Sequence, residues 1–192
     1  MNKLNDTFQG EPAAKRRLTA DEFVRMGEAG IFGPDERVEL IAGEIYRMSP
    51  TGRFHEVLRG QLAYHLTKLA PANVFVMAEM QLRLSDNYQP VADIGVLTAA
   101  LLTPDARGPD MLLVVEVADS SMAWDIGTKA QLYAAAGVPE YWVVNAHLRN
   151  TLVHREPGPA GYAVKFDVAA NDVVTPLLVP ELATRMADLR SA

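Results

Sequence analysis

The chain has 192 residues, 49% of them hydrophobic and 22% charged, which fits one compact domain with a sizeable core. It contains no cysteine, so disulfides, thiolate zinc sites and cysteine nucleophiles are excluded together, and no apolar run approaches the roughly 18 residues of a membrane span or a secretory signal, so a soluble cytoplasmic protein with no membrane partner is expected. A net charge of −6 argues against a protein whose main task is gripping nucleic acid, but it leaves room for a locally positive cleft.

Residues 1–17 are polar and aperiodic and read as an N-terminal arm, with residues 18–192 forming a single domain. Thr19 and Glu22 make a capping box, and Leu18 with Phe23 the matching hydrophobic staple, so a short helix should start at Ala20. Residues 38–41 and 44–48 flank Ala42-Gly43, a two-residue connection that favours a hairpin. Leu58, Leu62, Leu66 and Leu69 recur at helical spacing over residues 54–69, and Pro71 ends that helix. An extended segment from residue 74 to 84 follows, then a strand opened by Asp93 and a strand at residues 111–118. Residues 124–136 read as a helix carrying Lys129, and 141–144 as a strand. Residues 151–154, 162–168 and 173–178 read as further strands or extended segments, with Gly158, Pro159 and Gly161 marking a turn.

Glu116 is the most informative position. Met111 to Val115 run straight into it and Val117 and Ala118 follow, the pattern of a strand buried on both faces. A carboxylate there is costly unless protonated, paired or bound to a cation. Asp93 stands in a similar apolar strand, and Lys129 lies close behind. Acid on strand, acid on strand and lysine on the next helix is the layout of a metal-dependent phosphodiesterase. Mg²⁺ takes hard oxygen ligands, and an ammonium orients water or steadies phosphoryl charge. The bland readings are a strand-opening aspartate satisfied by turn amides, a structural ion pair for Glu116, and an exposed Asp125–Lys129 helix pair. Lys129 shares a helix face with Ile126, Leu132 and Tyr133, which turns its stem toward the sheet. Ser120 and Ser121 lack a glycine-framed elbow, which makes a serine hydrolase improbable. His65, His147 and His154 have no partner visible in the sequence.

Residues 113–121, Asp125 to Lys129, Tyr133, and Gly137-Val138-Pro139-Glu140-Tyr141-Trp142-Val143-Val144 resemble the Uma-two restriction-endonuclease-like family of the PD-(D/E)XK nuclease superfamily. The resemblance extends to residues 37–45, Met48-Ser49-Pro50 and His55. It implies an α/β restriction-endonuclease-like fold: a central mixed sheet flanked by helices, with an N-terminal helix and hairpin and extra C-terminal strands. It also implies that Asp93 and Glu116 bind Mg²⁺ or Mn²⁺, with the Val117 carbonyl as a further ligand, and that Lys129 completes the catalytic set of an endonuclease acting on DNA. Two departures stand out. Ala92 replaces the proline usual before the first acid, and Ala118 stands where the superfamily lysine would be, as expected of a family whose lysine has moved to the following helix. Glu39, Glu44 and His55 fall in matched blocks and could line the cleft or serve as hairpin charges and a helix-end histidine. Double-strand cutting by one small site calls for a homodimer on symmetry grounds. The competing reading is a non-catalytic nucleic-acid or protein interaction module that kept the fold.

Overall fold

The computed structural model describes residues 15–48, 50–103 and 106–189. The arm expected over residues 1–17 therefore lies mostly outside the described residues. Of its described part, Arg16 pairs with Glu22 and Arg17 donates to the Ala42 carbonyl. Helix α1 spans Ala20–Glu28, and both halves of its capping box form: the Glu22 N–H donates to Thr19 Oγ1 at 3.2 Å and the Thr19 N–H to Glu22 Oε2 at 3.0 Å. Leu18 packs with Phe23 as the staple requires. Strands β1 (Val38–Ile41) and β2 (Glu44–Arg47) form the expected antiparallel hairpin, one residue shorter than its sequence pattern. Ala42 and Gly43 take φ of 53° and 72°, the positive pair that matches strand twist in a two-residue turn.

Helix α2 (Arg53–Leu69) buries Leu58, Leu62 and Leu66, while Leu69 is left exposed at its end. The central sheet has six strands: β3 (Val74–Gln81), β4 (Val91–Thr98), β5 (Met111–Ala118), β6 (Glu140–Asn145), β7 (Thr151–Gly158) and β8 (Gly161–Val168), adjacent in that order. All neighbours are antiparallel except β5 and β6. That parallel pair needs a crossover, supplied by helix α3 (Met122–Trp124), a π turn (Asp125–Lys129) and helix α4 (Ala130–Ala135). Only Val173–Val174 of the extended segment expected over 173–178 pairs as a strand, β9, against β10 (Thr184–Arg185).

Side chains on a strand alternate between faces, and β5 does so from Leu113 onward. Leu113, Val115 and Val117 join the core beneath α2, and Val114 and Ala118 join the core beneath α4. Glu116 therefore points to the α4 side. The α2-side core is completed by Val174, Val179, Leu182, Met186 and Leu189. That segment is tied down through Glu140, which is fully buried and accepts from Trp142 Nε1 at 2.8 Å, from Arg155 and from the Leu177 N–H. Among the described residues no helix is long and apolar enough to cross a membrane.

Candidate active site

The two acids sit on neighbouring strands. The β4–β5 register sets Ile94 opposite Val115, so Asp93 and Glu116 come one step further along. Beyond that step the ladder gives way to side-chain bonding: Asp93 Oδ2 accepts the Val117 N–H at 2.8 Å. On the other side of β4, the ladder with β3 skips the Glu79–Asp93 position, where Glu79 takes a φ of 52°. Glu79 pairs there with Arg37 and Arg59. Both irregularities fall at Asp93.

Asp93 is buried and its Oδ2 also meets His55 Nε2 at 2.9 Å, from the first turn of α2. Arg59 Nη1 stands 4.0 Å from Oδ1. Burial alone would raise the carboxyl pKa; the hydrogen bond and charge of His55 and the Val117 N–H outweigh it and hold it below the ordinary value. The other ring nitrogen, His55 Nδ1, is buried and has no hydrogen-bond partner among the described residues.

Glu116 lies deeper. Its Oε1 accepts from Lys129 Nζ at 2.9 Å and from the Tyr133 hydroxyl at 2.9 Å. Burial is the main reason its pKa is pushed well above the ordinary value, and the Lys129 charge only partly opposes that. Lys129 Nζ also donates to the Val91 carbonyl at 3.2 Å and stands 3.9 Å from Glu39 Oε2. Desolvation works to lower the Lys129 pKa, and the surrounding Glu116, Glu39 and Asp125 charges reverse this, so the ammonium is held protonated.

The π turn explains how Lys129 reaches this position. An extra residue in the helical turn shifts the phase of the face, and Ile126, predicted to share the Lys129 face, is 40% exposed. Tyr133, one turn on, does share it. The bland alternative of an exposed Asp125–Lys129 helix pair does not hold: both residues are buried. Asp125 Oδ2 accepts from the Ser121 hydroxyl at 2.6 Å, and burial raises its pKa to about 6.

Asp93, Glu116, Asp125 and Lys129 line one cleft of about 330 Å³ beneath the β1–β2 hairpin. A larger hollow of about 450 Å³ lies between α1 and β3 but gathers none of the buried acids. Glu39 enters the cleft, buried and accepting the Val91 N–H at 3.3 Å. His55 enters it too, whereas Glu44 is exposed on β2 and stays outside. The sequence reading passes over Tyr133 as a polar partner of Glu116, although its four-residue step from Lys129 could have flagged it.

The donor set suits a hard divalent cation. Mg²⁺ binds through one or two carboxylates while keeping waters and substrate phosphate oxygens, and Asp93 Oδ1 and Glu116 Oε2 accept no hydrogen bond from a described residue. Among the described residues no group of three or more His, Cys, Asp or Glu side chains is placed to hold a metal ion. Val117 gives its N–H to Asp93 and buries its side chain in the α2-side core.

The model of the family Uma2, described as "Putative restriction endonuclease", matches residues 20–187. The chain is also similar to the crystal structure of a "putative nuclease belonging to DUF820" from Anabaena variabilis ATCC 29413, with a TM-score of 0.69 at 14% identity, covering 90% of this chain and 97% of that one. At that identity the likeness concerns the fold. No curated protein matches the sequence.

Proposed function

The chain belongs to the Uma2 family, and from that membership together with the paired carboxylates we propose that it is a divalent-metal-dependent nuclease hydrolysing DNA phosphodiester bonds, its residues 18–192 working as one domain in the cytoplasm. The observation that carries this reading is the convergence of Asp93, Glu116 and Lys129 on one cleft. Asp93 and Glu116 would hold Mg²⁺ or Mn²⁺, with the Val117 carbonyl as a further ligand. Bound there, the ion supplies Lewis-acid polarisation of the phosphoryl oxygens and lowers the pKa of a bound water.

The chain's own residues do the rest. Lys129 is held protonated by its three carboxylate neighbours, so it acts as a cation that orients the attacking water and offsets charge growing on the phosphoryl group, not as a base. Tyr133 fixes Glu116 Oε1 by its hydroxyl, leaving Glu116 Oε2 for the ion. His55 and the Val117 N–H fix Asp93 Oδ2 in the same way and leave Oδ1. Such supporting hydrogen bonds orient ligands and sharpen affinity. Internal cutting of both strands of a duplex by so small a site would call for a homodimer.

The test is a cleavage assay on a mixed pool of DNA substrates. Wild type should cut in Mg²⁺ or Mn²⁺ and not in chelator. Asp93→Ala and Glu116→Ala should be inactive, and Lys129→Ala should retain the metal yet turn over about 10²–10³-fold more slowly. Equal residual cutting in all four proteins would mean contamination and would defeat the proposal. The second reading, a non-catalytic interaction module, draws on the cleft's charge: five carboxylates line it against Arg47 and Lys129. Calorimetry with Mn²⁺ separates the two, since a module of that kind has no need of a divalent site.

A further inference from the structure

The aromatic residues at the cleft mouth are not used by the chemistry. Tyr46, on β2 of the hairpin, is 41% exposed, and its ring lies 5.9 Å from that of Trp124 at the start of the crossover. Both line the cleft that holds the acids. A second pair reaches Asp119: Phe54, 63% exposed at the start of α2, packs at 4.8 Å on His147, whose Nε2 meets Asp119 Oδ1 at 2.8 Å. Asp119 itself lines the cleft.

Two rings thus line, and a second pair adjoins through Asp119, a site whose electrostatics suit a duplex poorly. Duplex binding rests on neutralising closely spaced phosphates with Lys and Arg, and here carboxylates outnumber the cationic residues five to two in a chain of net charge −6. Single strands can be held differently, because an unpaired base exposes a π face that stacks on an aromatic ring whatever the sequence. Packing of the hairpin onto the crossover helix would account for contact between Tyr46 and Trp124. It would not account for the exposure of Tyr46, nor for the second pair.

We propose that this cleft takes single-stranded nucleic acid, gripped by base stacking on Tyr46 and Trp124 with Phe54 and His147 as a second platform. This rests on the nuclease reading above and narrows its substrate class. It also removes the symmetry argument for a dimer, since one strand needs one site.

The chain carries its own probe. Its two tryptophans are Trp124 and Trp142, and Trp142 is fully buried, so quenching of emission by a stacked base reports on Trp124. Full-length protein is titrated in Ca²⁺ with oligo-dT, with oligo-U and with a duplex of equal length, following emission and the anisotropy of end-labelled strands. Single strands should quench the emission and bind at least about tenfold more tightly than the duplex. Oligo-dT against oligo-U then separates DNA from RNA as the source of the unpaired bases. Tyr46→Leu and Trp124→Leu, which keep an apolar cover but remove the stack, should each weaken single-strand anisotropy binding about tenfold with an unchanged melting temperature. Tighter binding of the duplex, or single-strand affinity indifferent to both variants, would overturn the inference. The two readings fail separately: binding as expected without cleavage in Mg²⁺ sinks only the nuclease, and preferential cutting of duplex without quenching sinks only the single-strand proposal.

Discussion

Lys129 and Glu116, thirteen residues apart, meet at 2.9 Å in the interior of the protein, on the face of the sheet opposite α2. Each is the reason the other tolerates burial.

Removing one partner leaves the other stranded. Lys129→Met should destabilise the protein by about 3–5 kcal/mol near pH 8. Near pH 5 the loss should shrink, because burial already raises the Glu116 pKa and the protonated carboxyl needs no cation. Urea unfolding at the two pH values checks this. Adding Glu116→Gln to the variant should recover most of the loss, and an identical loss at both pH values would count against the pairing argument.

Divalent metal should stabilise the folded state by mass action. At a hundred times the dissociation constant the gain is about 2.7 kcal/mol, a rise in melting temperature of roughly 5–10 °C for a chain of this size. Asp93→Asn should abolish the rise. Tyr133→Phe should keep the fold but weaken Mn²⁺ binding about tenfold, because Glu116 loses one of the two donors to its Oε1. Thermal melts against Mn²⁺ concentration read both effects.

The pH dependence of Asp125 has a definite sign. Its folded pKa of about 6 lies above the ordinary 3.8, so between these values the folded state holds the extra proton. Its contribution to stability is fully present below the unfolded pKa and is lost as pH rises through about 6. The shift corresponds to about 3 kcal/mol as an upper figure. Asp125→Asn should therefore be more stable than wild type at pH 7.5 and lack that decline, as denaturant titrations from pH 4 to pH 8 will measure.

Gly108 approaches the end of α4 so closely that an added Cβ would sit 2.2 Å from the Ala136 carbonyl oxygen. Backbone, not a flexible side chain, would have to yield, so Gly108→Ala should cost about 1–3 kcal/mol. Gly127 has open space around its Cβ position, and Gly127→Ala should stay within about 1 kcal/mol of wild type. Differential scanning calorimetry of the pair separates close approach from a general dislike of substitution.

Much of this was legible in the chain because burial of charge leaves a plain trace. Glu116 and Asp93 stand out as acids in apolar strands, and the capping box, the hairpin glycine and the leucine spacing of α2 each express a local rule. What could not be read depends on phase or on distant contacts. The π turn breaks the helical period that would place Ile126 on the Lys129 face, so Ile126 turns outward, and Asp125 is buried together with Lys129. Glu39 looks like any hairpin charge until the fold lays it against Lys129. Glu140 owes its burial to Arg155 and to the Leu177 N–H, and the extended segment beyond β9 is held by that carboxylate instead of a ladder.

The Glu140 anchorage also bears on the order in which the molecule can be made. Val174, Val179, Leu182, Met186 and Leu189 cover the α2-side core, yet every strand and leucine they cover is synthesised before them. A ribosome adding roughly 5–20 residues per second needs a few seconds to pass from the end of β6 to Leu189. Until then the nascent sheet leaves uncovered the part of its α2-side face that α2 does not reach, and Glu140 waits longest for its Leu177 donor. The step that shields the sheet from neighbouring nascent chains and from chaperones is therefore the arrival of residues 174–189.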